Sequence, residues 1–433
     1  MAIPATTLRP DPSPRKLDDA VGVLAEGDRL AGEARLMVAR IAMFGLMVAA
    51  LATTALAQDD KSIRADFEAG GRAYAIGDYP TAEVKLKAAV AAAESLGPKS
   101  TVLAAAVHAL SGVYYMQARY PLAEETELRA LAIYENVSGK DAIDTAGAVA
   151  SLANIRFVQG RFAEAGPLYE RAIRIFEKTY GKDGPPLAFV LGGQGDLAYA
   201  QAKYDEAETV YKRVVVLLEK SRANPFELAH SYSGLANVAL FRDRDDDAES
   251  YFKKGLDQYE KVAKGDHPDS SRILAGLGAL AYKRDRFDES DGYFRRALAL
   301  EEKTMGADSY ELVKTLVGLA NVIYMKMKYD DAEALYKRAL ALEEKAHGKD
   351  KLGSFAMLTS LADIRYAQGK FDEAEPLYLR AIAIIERQAG LPGETLAAAL
   401  ERMVHLYRAT NRDADAATIE ERARELREKK VDK

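Results

Sequence analysis

The sequence predicts an all-α protein, a right-handed superhelix, or α-solenoid, of tandem helical hairpins. Two observations lead to this prediction. A unit of 42 residues, with two slips to 41, repeats along residues 58–433. Within each unit, apolar residues recur at positions i, i+3, i+4 and i+7 on both sides of a short break, which is the spacing of two amphipathic helices, A and B. One such hairpin cannot bury its apolar faces alone, so neighbouring hairpins have to stack.

The composition is that of a folded protein and argues against several classes of function. Hydrophobic residues make up 48% of the 433 residues, which is enough to build a core. Lys and Arg (60) against Asp and Glu (66) leave a net charge of −6, so the chain has no general attraction for nucleic acid. With no cysteine and five scattered histidines, the sequence predicts no metal site, no cofactor and no catalytic residue.

The beginning of the chain has the layout of a signal peptide. Residues 41–57 carry no charge and follow Arg35 and Arg40, while Ala55 and Ala57 form a small-residue cleavage site. Cleavage after Ala57 would leave a periplasmic or secreted protein without a membrane span. The alternative is a retained membrane anchor, although this segment is short for a span of roughly 20 residues.

The segment before the signal has no strong apolar periodicity. We interpret residues 1–36 as a disordered or untranslated extension, and residues 37–57 as the signal peptide. Translation from Met37 would produce a compact signal peptide, whereas translation from Met1 would precede it with the extension. The sequence leaves both start positions open.

Residues 58–433 form eight repeats and one degenerate C-terminal capping repeat. In seven units an aromatic residue, followed three positions later by a small residue, marks the break between helices A and B. These aromatic residues are Tyr79, Tyr120, Phe162, Tyr204, Phe287, Tyr329 and Phe371. Two further units, at Asp245 and Asp413, keep only the small residue. In the last unit, charge on most faces of helix B is typical of a cap.

Glycine near the break predicts how helix A ends. Three units have glycine two residues before the aromatic, namely Gly77, Gly160 and Gly369. Glycine there favours a left-handed residue that stops the helix and allows a tight turn. Units with Ala118, Ala202 or Met327 at that position are expected to turn differently.

The order of residues resembles the tetratricopeptide repeat over about residues 62–428. It consists of leucine, a small residue and asparagine in helix A, as at residues 152–154 and 319–321, followed by glycine-x-aromatic-x-x-alanine. The 42-residue unit, with phrases such as AEPLYLRAIAI at residues 374–384, is similar to the repeats of kinesin light chain. Kinesin light chain repeats carry paired asparagines in helix A, and this chain keeps the second. The resemblance implies that helix A lines a concave groove for protein partners.

Two rows of side chains on helix A form the predicted peptide-binding groove. Eight residues before the aromatic, at position −8, the row consists of Asn154, Asp196, Asn237, Asn321 and Asp363. At position −5 it includes Tyr115, Tyr199, Tyr282, Tyr324 and Tyr366. Amides can hydrogen-bond a peptide backbone in both directions, and tyrosine supplies contact area at small entropic cost. The resemblance adds that position −8 holds the peptide-binding asparagine of many tetratricopeptide domains.

Other interpretations of these rows stay open. The amides could instead bridge neighbouring A helices, and the tyrosines could fill space between them. Arg272 and Lys314, at position −15, could form a basic spot for an acidic ligand group, or simply be solvated. A row on helix B is predicted to cover apolar surface with its charged ends in water, and consists of Arg129, Arg171, Arg213, Lys254, Arg296, Arg338 and Arg380.

The sequence therefore predicts an exported, non-catalytic scaffold or adaptor that binds an extended segment of another protein. One alternative is a glycan- or peptidoglycan-binding enzyme component, which would need two facing carboxylates within about 5–10 Å. Another is a self-assembling structural protein. The sequence names neither the ligand nor the oligomeric state.

Overall fold

The computed structural model describes residues 61–221, 224–263, 267, 269–387 and 393–428. This part of the chain contains eighteen α-helices and no strand, and the helices form nine hairpins. The predicted extension of residues 1–36, the predicted signal peptide of residues 37–57 and its cleavage site lie outside the described residues.

Five hairpins form one compact unit between residues 61 and 263, called here the N-terminal unit. Odd-numbered helices are A helices and even-numbered helices are B helices. The helices are α1 (Lys61–Ala75), α2 (Tyr79–Ala93), α3 (Thr101–Met116), α4 (Tyr120–Val137), α5 (Ile143–Val158), α6 (Phe162–Tyr180), α7 (Leu187–Ala200), α8 (Tyr204–Ser221), α9 (Pro225–Phe241) and α10 (Asp245–Ala263). A short 3-10 turn, Glu94–Leu96, follows α2.

Four hairpins form a second compact unit between residues 267 and 428, called here the C-terminal unit. Its helices are α11 (Ser270–Lys283), α12 (Phe287–Met305), α13 (Val313–Met325), α14 (Tyr329–His347), α15 (Ser354–Ala367), α16 (Phe371–Glu386), α17 (Gly393–Ala409) and α18 (Asp413–Glu428). A 3-10 turn, Tyr310–Leu312, precedes α13. Among the described helices of both units, none is long and apolar enough to cross a lipid bilayer.

Within each unit, every helix A packs against its own helix B and against the helix B of the preceding hairpin of that unit. Neighbouring A helices also contact each other, from α1 to α9 and between α11 and α13. The small residue after each break is buried; Ala82, Ala165 and Ala332 are 0% exposed, so the helices can approach to about 8–10 Å. The prediction of an all-α repeat of stacked hairpins is confirmed.

All nine breaks use the same left-handed turn. The φ angles of Gly77, Gly160 and Gly369 are 78°, 73° and 72°, as predicted. The expectation for the non-glycine units is wrong, because Ala118, Ala202 and Met327 have φ angles of 57°, 58° and 60°. A left-handed L-residue costs about 1–2 kcal/mol. Backbone hydrogen bonds that close helix A offset this cost, as where the N–H of Ala118 donates to the carbonyl of Tyr115 at 2.9 Å.

Ion pairs join successive hairpins along the B helices. Six arginines, each nine residues after the start of a helix B, lie 2.5–2.7 Å from a Glu carboxylate on, or directly after, the preceding helix B. The pairs are Arg129 with Glu94, Arg171 with Glu135, Arg213 with Glu177, Arg338 with Glu302, Arg380 with Glu344 and Arg422 with Glu386. Five of these arginines belong to the predicted row, and their charged ends, which were expected in water, pair with a glutamate as well. Each pair contributes to an interface between repeats, at about 0.2–1 kcal/mol for an exposed pair.

Candidate functional site

The predicted site residues all lie at four repeated positions of the A helices. Positions −15, −12, −8 and −5 of each helix A, counted back from the first residue of the following helix B, are together called the A face. Because neighbouring A helices contact each other from α1 to α9 and between α11 and α13, these positions follow one another from hairpin to hairpin there. Each unit therefore has its own A face, and the two are described separately.

The polar residues at position −8 are bonded inside their own hairpins. A tyrosine on helix B, fifteen residues later, donates its hydroxyl hydrogen to the side-chain oxygen at position −8. The bonds run from Tyr169 to Asn154 (2.5 Å), from Tyr211 to Asp196 (2.6 Å), from Tyr378 to Asp363 (2.6 Å) and from Tyr336 to Asn321. Asn154, Asp196 and Asn321 are at most 7% exposed. These three side chains thus tie helix A to helix B, and their binding of a ligand stays a prediction.

Asn237 differs from the other members of this row. The residue fifteen positions later is Phe252, which has no hydroxyl to donate. Asn237 is half-buried rather than buried. Among the predicted amides, its side chain therefore has the greatest accessibility for a ligand.

The two acidic residues of the row have a second cationic or polar partner from the next hairpin. In the N-terminal unit, Nε2 of His230 on α9 lies 2.9 Å from the Asp196 carboxylate. In the C-terminal unit, Nε of Arg402 on α17 lies 3.2 Å from both carboxylate oxygens of Asp363. Bridging between neighbouring A helices, which the sequence left as an alternative, is thus present at the carboxylates.

The aromatic side chains at position −5 pack against the aromatic residue that opens helix B. All seven pairs have ring centroids 5.4–5.9 Å apart. Tyr115 and Tyr324 are buried, whereas Tyr199, Tyr282 and Tyr366 are half-buried. This row therefore stabilises the turn between the helices, and three of its phenols keep part of their surface accessible.

The predicted basic spot lies in the C-terminal unit. Lys314 is exposed, while Arg272 is half-buried and acts electrostatically on Glu301 of α12. Glu301 is 6% exposed, and its Oε2 atom has no hydrogen-bond partner. Burial raises the pKa of the Glu301 carboxyl to about 7, although Thr315, Ser271 and Arg272 act in the opposite direction. A carboxyl that is protonated near neutral pH thus lies next to the predicted basic spot.

Sequence reasoning missed the contacts of the aromatic row on helix B, seven residues after its start. These rings lie against glycines of two A helices: a Cβ on Gly195 would lie 2.7 Å from the Tyr211 ring, and one on Gly234 would lie 2.5 Å away. In the C-terminal unit, a Cβ on Gly318 would lie 2.5 Å from the ring of Phe294. The signal was present as a polar residue at position −8 paired with a tyrosine fifteen residues later.

A buried pair replaces this contact in the second hairpin. Nδ1 of His108 lies 2.7 Å from Oε1 of Glu127, which occupies the position of the missing tyrosine. Both residues are buried. Burial acts to lower the pKa of His108, but the Glu127 carboxylate raises it further, so that the pKa lies above its usual value.

The A faces of the two units differ in accessibility. On α5, the four A-face residues Gly147, Ala150, Asn154 and Phe157 are all buried. On α11, the four residues at the same positions are all at least partly exposed, namely Arg272, Ala275, Ala279 and Tyr282. Within the described ranges, no cluster of three or more His, Asp or Glu could hold a metal ion. The A face of α11 is therefore accessible to another molecule, whereas that of α5 is not.

Matches to protein families cover most of the chain. Residues 144–220, 227–303, 311–387 and 353–429 match a family described as tetratricopeptide repeat. Residues 103–143 match a second family of the same description. A search of curated proteins finds no match.

Solved structures are similar to this chain at low sequence identity. The apo form of the quorum sensor NprR from B. thuringiensis has a TM-score of 0.57 at 12% identity, covering 84% of this chain and 98% of its own. A Rap protein complexed with competence and sporulation factor has a TM-score of 0.50 at 14% identity, covering 86% and 98%. TPR-like kinesin light chain repeats from Podosopora anserina have a TM-score of 0.37 at 18% identity, covering 46% and 94%.

Proposed function

Because the chain belongs to the tetratricopeptide repeat family, we propose that it is a non-catalytic scaffold that binds an extended segment of another protein on its A face. A fold of stacked hairpins is typical of protein–protein interaction, since the repeats present a long continuous surface. The Rap protein whose structure is a complex with competence and sporulation factor shares this fold.

The accessible A face of the C-terminal unit is the observation that carries the proposal. Tyr282, Tyr366 and Asp363 keep part of their surface accessible, and Lys314 is exposed on the same face. Tyr366 offers rigid contact area with a polar tip, and Tyr282 offers part of its ring, since its hydroxyl oxygen is buried. A cation offers a partner for an acidic side chain. We place the ligand against these side chains, together with Arg272, rather than against the buried amides.

The test is recovery of a partner that crosslinking in intact cells and mass spectrometry have identified. In the double variant Lys314→Glu, Tyr366→Phe, the ring that packs on Phe371 is kept, so the hairpin is expected to remain intact. We expect a large loss of partner recovery from this variant. The matched control is Lys345→Glu, a charge reversal at an exposed lysine of helix B in the same unit.

Equal recovery from both variants would contradict binding on this face. Substitution of Asn154 or Asn321 is a poorer test, because each accepts a hydrogen bond from a tyrosine of its own hairpin. Loss of binding in those variants would not separate ligand contact from hairpin stability.

The proposal places the protein in the periplasm or outside the cell. It rests on the signal-peptide layout of residues 37–57 and on the expected cleavage after Ala57. Sequencing the N-terminus of the protein purified from the cell envelope tests it. We expect Gln58 as the first residue, and an envelope protein that begins at Met1 or Met37 would contradict cleavage.

A further inference from the structure

A cavity with a charged lining, called here the basic cavity, lies between two B helices of the N-terminal unit. It occupies about 500 Å³ between the end of α4, the connection from α4 to α5, and α6. Small-molecule sites have volumes of about 300–1,000 Å³, but their lining is mostly apolar. Here the lining has one apolar residue, Ile175. The other six lining residues are Glu135, Lys140, Asp141, Arg171, Arg174 and Lys178. The basic cavity therefore suits a charged ligand rather than an apolar one.

One of the four cations is neutralised by a contact that belongs to the repeat. Nη2 of Arg171 lies 2.7 Å from Oε1 of Glu135, and it donates a hydrogen bond of 2.8 Å to the backbone carbonyl of Lys140. One hairpin later, Arg213 makes the same two contacts, at 2.7 Å and 2.9 Å. Arg171 and Glu135 therefore form a fixed wall of the basic cavity.

The other three cations are not neutralised in this way. Lys140, Arg174 and Lys178 are exposed, and within the described residues no ion pair or side-chain hydrogen bond joins them to another group. In the lining, Asp141 is the carboxylate that remains to balance them. Glu170, four residues before Arg174, is exposed and does not line the cavity. Three cations against one carboxylate leave a surplus of two positive charges.

Arg174 distinguishes this place from the same place in the other repeats. Arg171, Arg174 and Lys178 have the spacing i, i+3 and i+7, so they share one face of α6, where like charges repel. Arg174 is the twelfth residue after the start of helix B. The residues at the same position of the other repeats are Ala91, Ala132, Val216, Asp257, Ala299, Ala341, Ala383 and Glu425. The fold therefore does not require an arginine there, whereas a bound anion would relieve the repulsion.

We infer that the basic cavity binds a small molecule through a phosphate group, which Lys140, Arg174 and Lys178 hold. A phosphate monoester carries nearly two negative charges at pH 7, which matches the surplus of positive charge. The planar fork of an arginine donates two parallel hydrogen bonds to phosphate oxygens, and lysines add point charges. Since a water molecule takes up about 30 Å³ in the liquid, a cavity of about 500 Å³ also has room for the organic part of the ligand.

Isothermal titration calorimetry on the full chain, with pyrophosphate and glycerol 3-phosphate as probes, tests the inference. We expect one site per chain, and an affinity that falls as the salt concentration rises, because salt screens exposed charges. In Arg174→Val the affinity should fall about tenfold, since a charge-assisted hydrogen bond is lost. Valine is the native residue at this position of α8, where Val216 is 62% exposed, so the variant should fold normally.

The matched control uses the same position of the next hairpin. Lys220 on α8 corresponds to Lys178 on α6, and both are exposed. Lys178→Glu should weaken binding of both probes at least tenfold, whereas Lys220→Glu should leave the affinity unchanged. Equal losses from these two variants, or equal affinities of Arg174→Val and the parent chain, would overturn the inference.

A third variant tests the same set of cations by gain of function. The interface between α6 and α8 already has Arg213, Lys182 and Lys220 at the matching positions, but Val216 in place of an arginine. We expect Val216→Arg to create a second site, so that two probe molecules bind per chain. A stoichiometry that stays at one would contradict this set of cations as the cause of binding.

Citrate and a peptide of six glutamates distinguish phosphate from carboxylate ligands. Both should bind more weakly than pyrophosphate, because each carboxylate carries a single charge. Tighter binding of either one than of both phosphate probes would overturn the assignment to phosphate. Partner recovery with Lys314→Glu, Tyr366→Phe concerns the A face of the C-terminal unit, so this inference and the proposed function can fail independently.

Discussion

The N-terminal and C-terminal units are built from the same hairpin, but their A faces differ in accessibility. Asp196 and Asp363 occupy the same position, and each accepts a hydrogen bond from a tyrosine of its own helix B. Asp196 is buried beside His230, whereas Asp363 is half-buried beside Arg402. The hairpin therefore determines the bond to tyrosine, and the neighbouring hairpin determines how much of the carboxylate remains accessible.

The same lesson applies to charge on the A face. From α3 to α9 that face has no Lys or Arg, whereas Arg272, Lys314 and Arg408 lie on it in the C-terminal unit. In the N-terminal unit the same positions hold buried residues such as Ala105 and Phe157, so the repeat accepts either kind of side chain there. One repeat architecture thus carries an apolar face and a charged, accessible face in a single chain.

The largest expected effect concerns Glu301, fourteen residues after the start of its helix B. At the same position the N-terminal unit has residues such as Phe176 and Leu218. The pKa of Glu301 is raised from 4.5 to about 7, so the folded state favours the protonated carboxyl. Its contribution to stability is complete below pH 4.5 and is lost as the pH rises through 7, on the order of 3 kcal/mol. Hydrogen exchange of α12 measured by mass spectrometry across this range should show the loss.

In Glu301→Gln, the protection of α12 is expected to vary less over the same pH range. His108 provides the comparison in the N-terminal unit. Its raised pKa means that its contribution is present below pH 6.5 and is lost as the pH rises through the raised value. Loss of protection in α4 at higher pH than in α12 would support Glu301 and His108 as the groups that titrate. Identical pH profiles for the two helices would contradict this.

Glycines beside the aromatic rings are expected to matter equally in both units. A Cβ on Gly234 or Gly318 would lie 2.5 Å from a buried ring, so alanine at either position should cost about 2 kcal/mol by overpacking. A Cβ on Gly292 would meet no side chain or other element within 4 Å, and Gly292→Ala should instead stabilise its helix by about 1 kcal/mol. Urea denaturation measures all three variants. Wild-type stability for Gly234→Ala would show that the ring moves freely.

Removal of the tyrosine hydroxyl should destabilise the N-terminal unit more than the C-terminal unit. Tyr211→Phe takes a donor from the buried carboxylate of Asp196 and is expected to cost about 2 kcal/mol. Tyr378→Phe should cost about 1 kcal/mol, because Asp363 is half-buried and keeps part of its hydration, whereas Asp196 is buried. Each carboxylate keeps its second partner, Arg402 or His230. Phe252→Tyr, opposite Asn237, is the complementary variant. Equal losses in the two phenylalanine variants would mean that accessibility of the carboxylate is unimportant.

The smallest of these effects concerns the turns. Ala118→Gly and Ala202→Gly in the N-terminal unit, and Met327→Gly in the C-terminal unit, should each stabilise by about 1 kcal/mol, because glycine adopts a positive φ without strain. The reverse change, Gly77→Ala, has no steric conflict within 4 Å and should lose a similar amount. Thermal unfolding monitored by circular dichroism measures the sign, and a lower midpoint for Ala202→Gly would contradict the prediction.

Turn geometry shows where sequence patterns reach their limit. Glycine at residues 77, 160 and 369 predicted a left-handed turn, but Ala118 adopts the same turn without that signal. The conformation follows from the hydrogen bonds that close helix A and from the packing of helix B, so the residue at the break only changes its cost. The prediction failed because glycine favours a positive φ angle but the turn does not require glycine.

For the amide row, the predicted position on helix A was correct, but the hydrogen bond to a tyrosine of helix B was not predicted. Asn154 and Asn321 lie on the A face as predicted, yet each accepts a hydrogen bond from a tyrosine of its own hairpin. The pairing could have been found in the sequence, because Asn237 lacks the tyrosine at the matching position and has Phe252 instead. The burial of the amides could not have been found, since it depends on neighbouring helices.

The sequence by itself determined the helices, the nine hairpins and the positions of their breaks, because helical spacing and a fixed repeat length are local properties of the chain. Only the tertiary structure decided which A-face residues remain accessible, with Ala150 fully buried and Ala275 half-buried at the same position of the repeat. It also decided that arginines on the B helices pair with the preceding hairpin. Accessibility and ion pairing depend on distances between helices far apart in sequence, and a repeat pattern does not encode those distances.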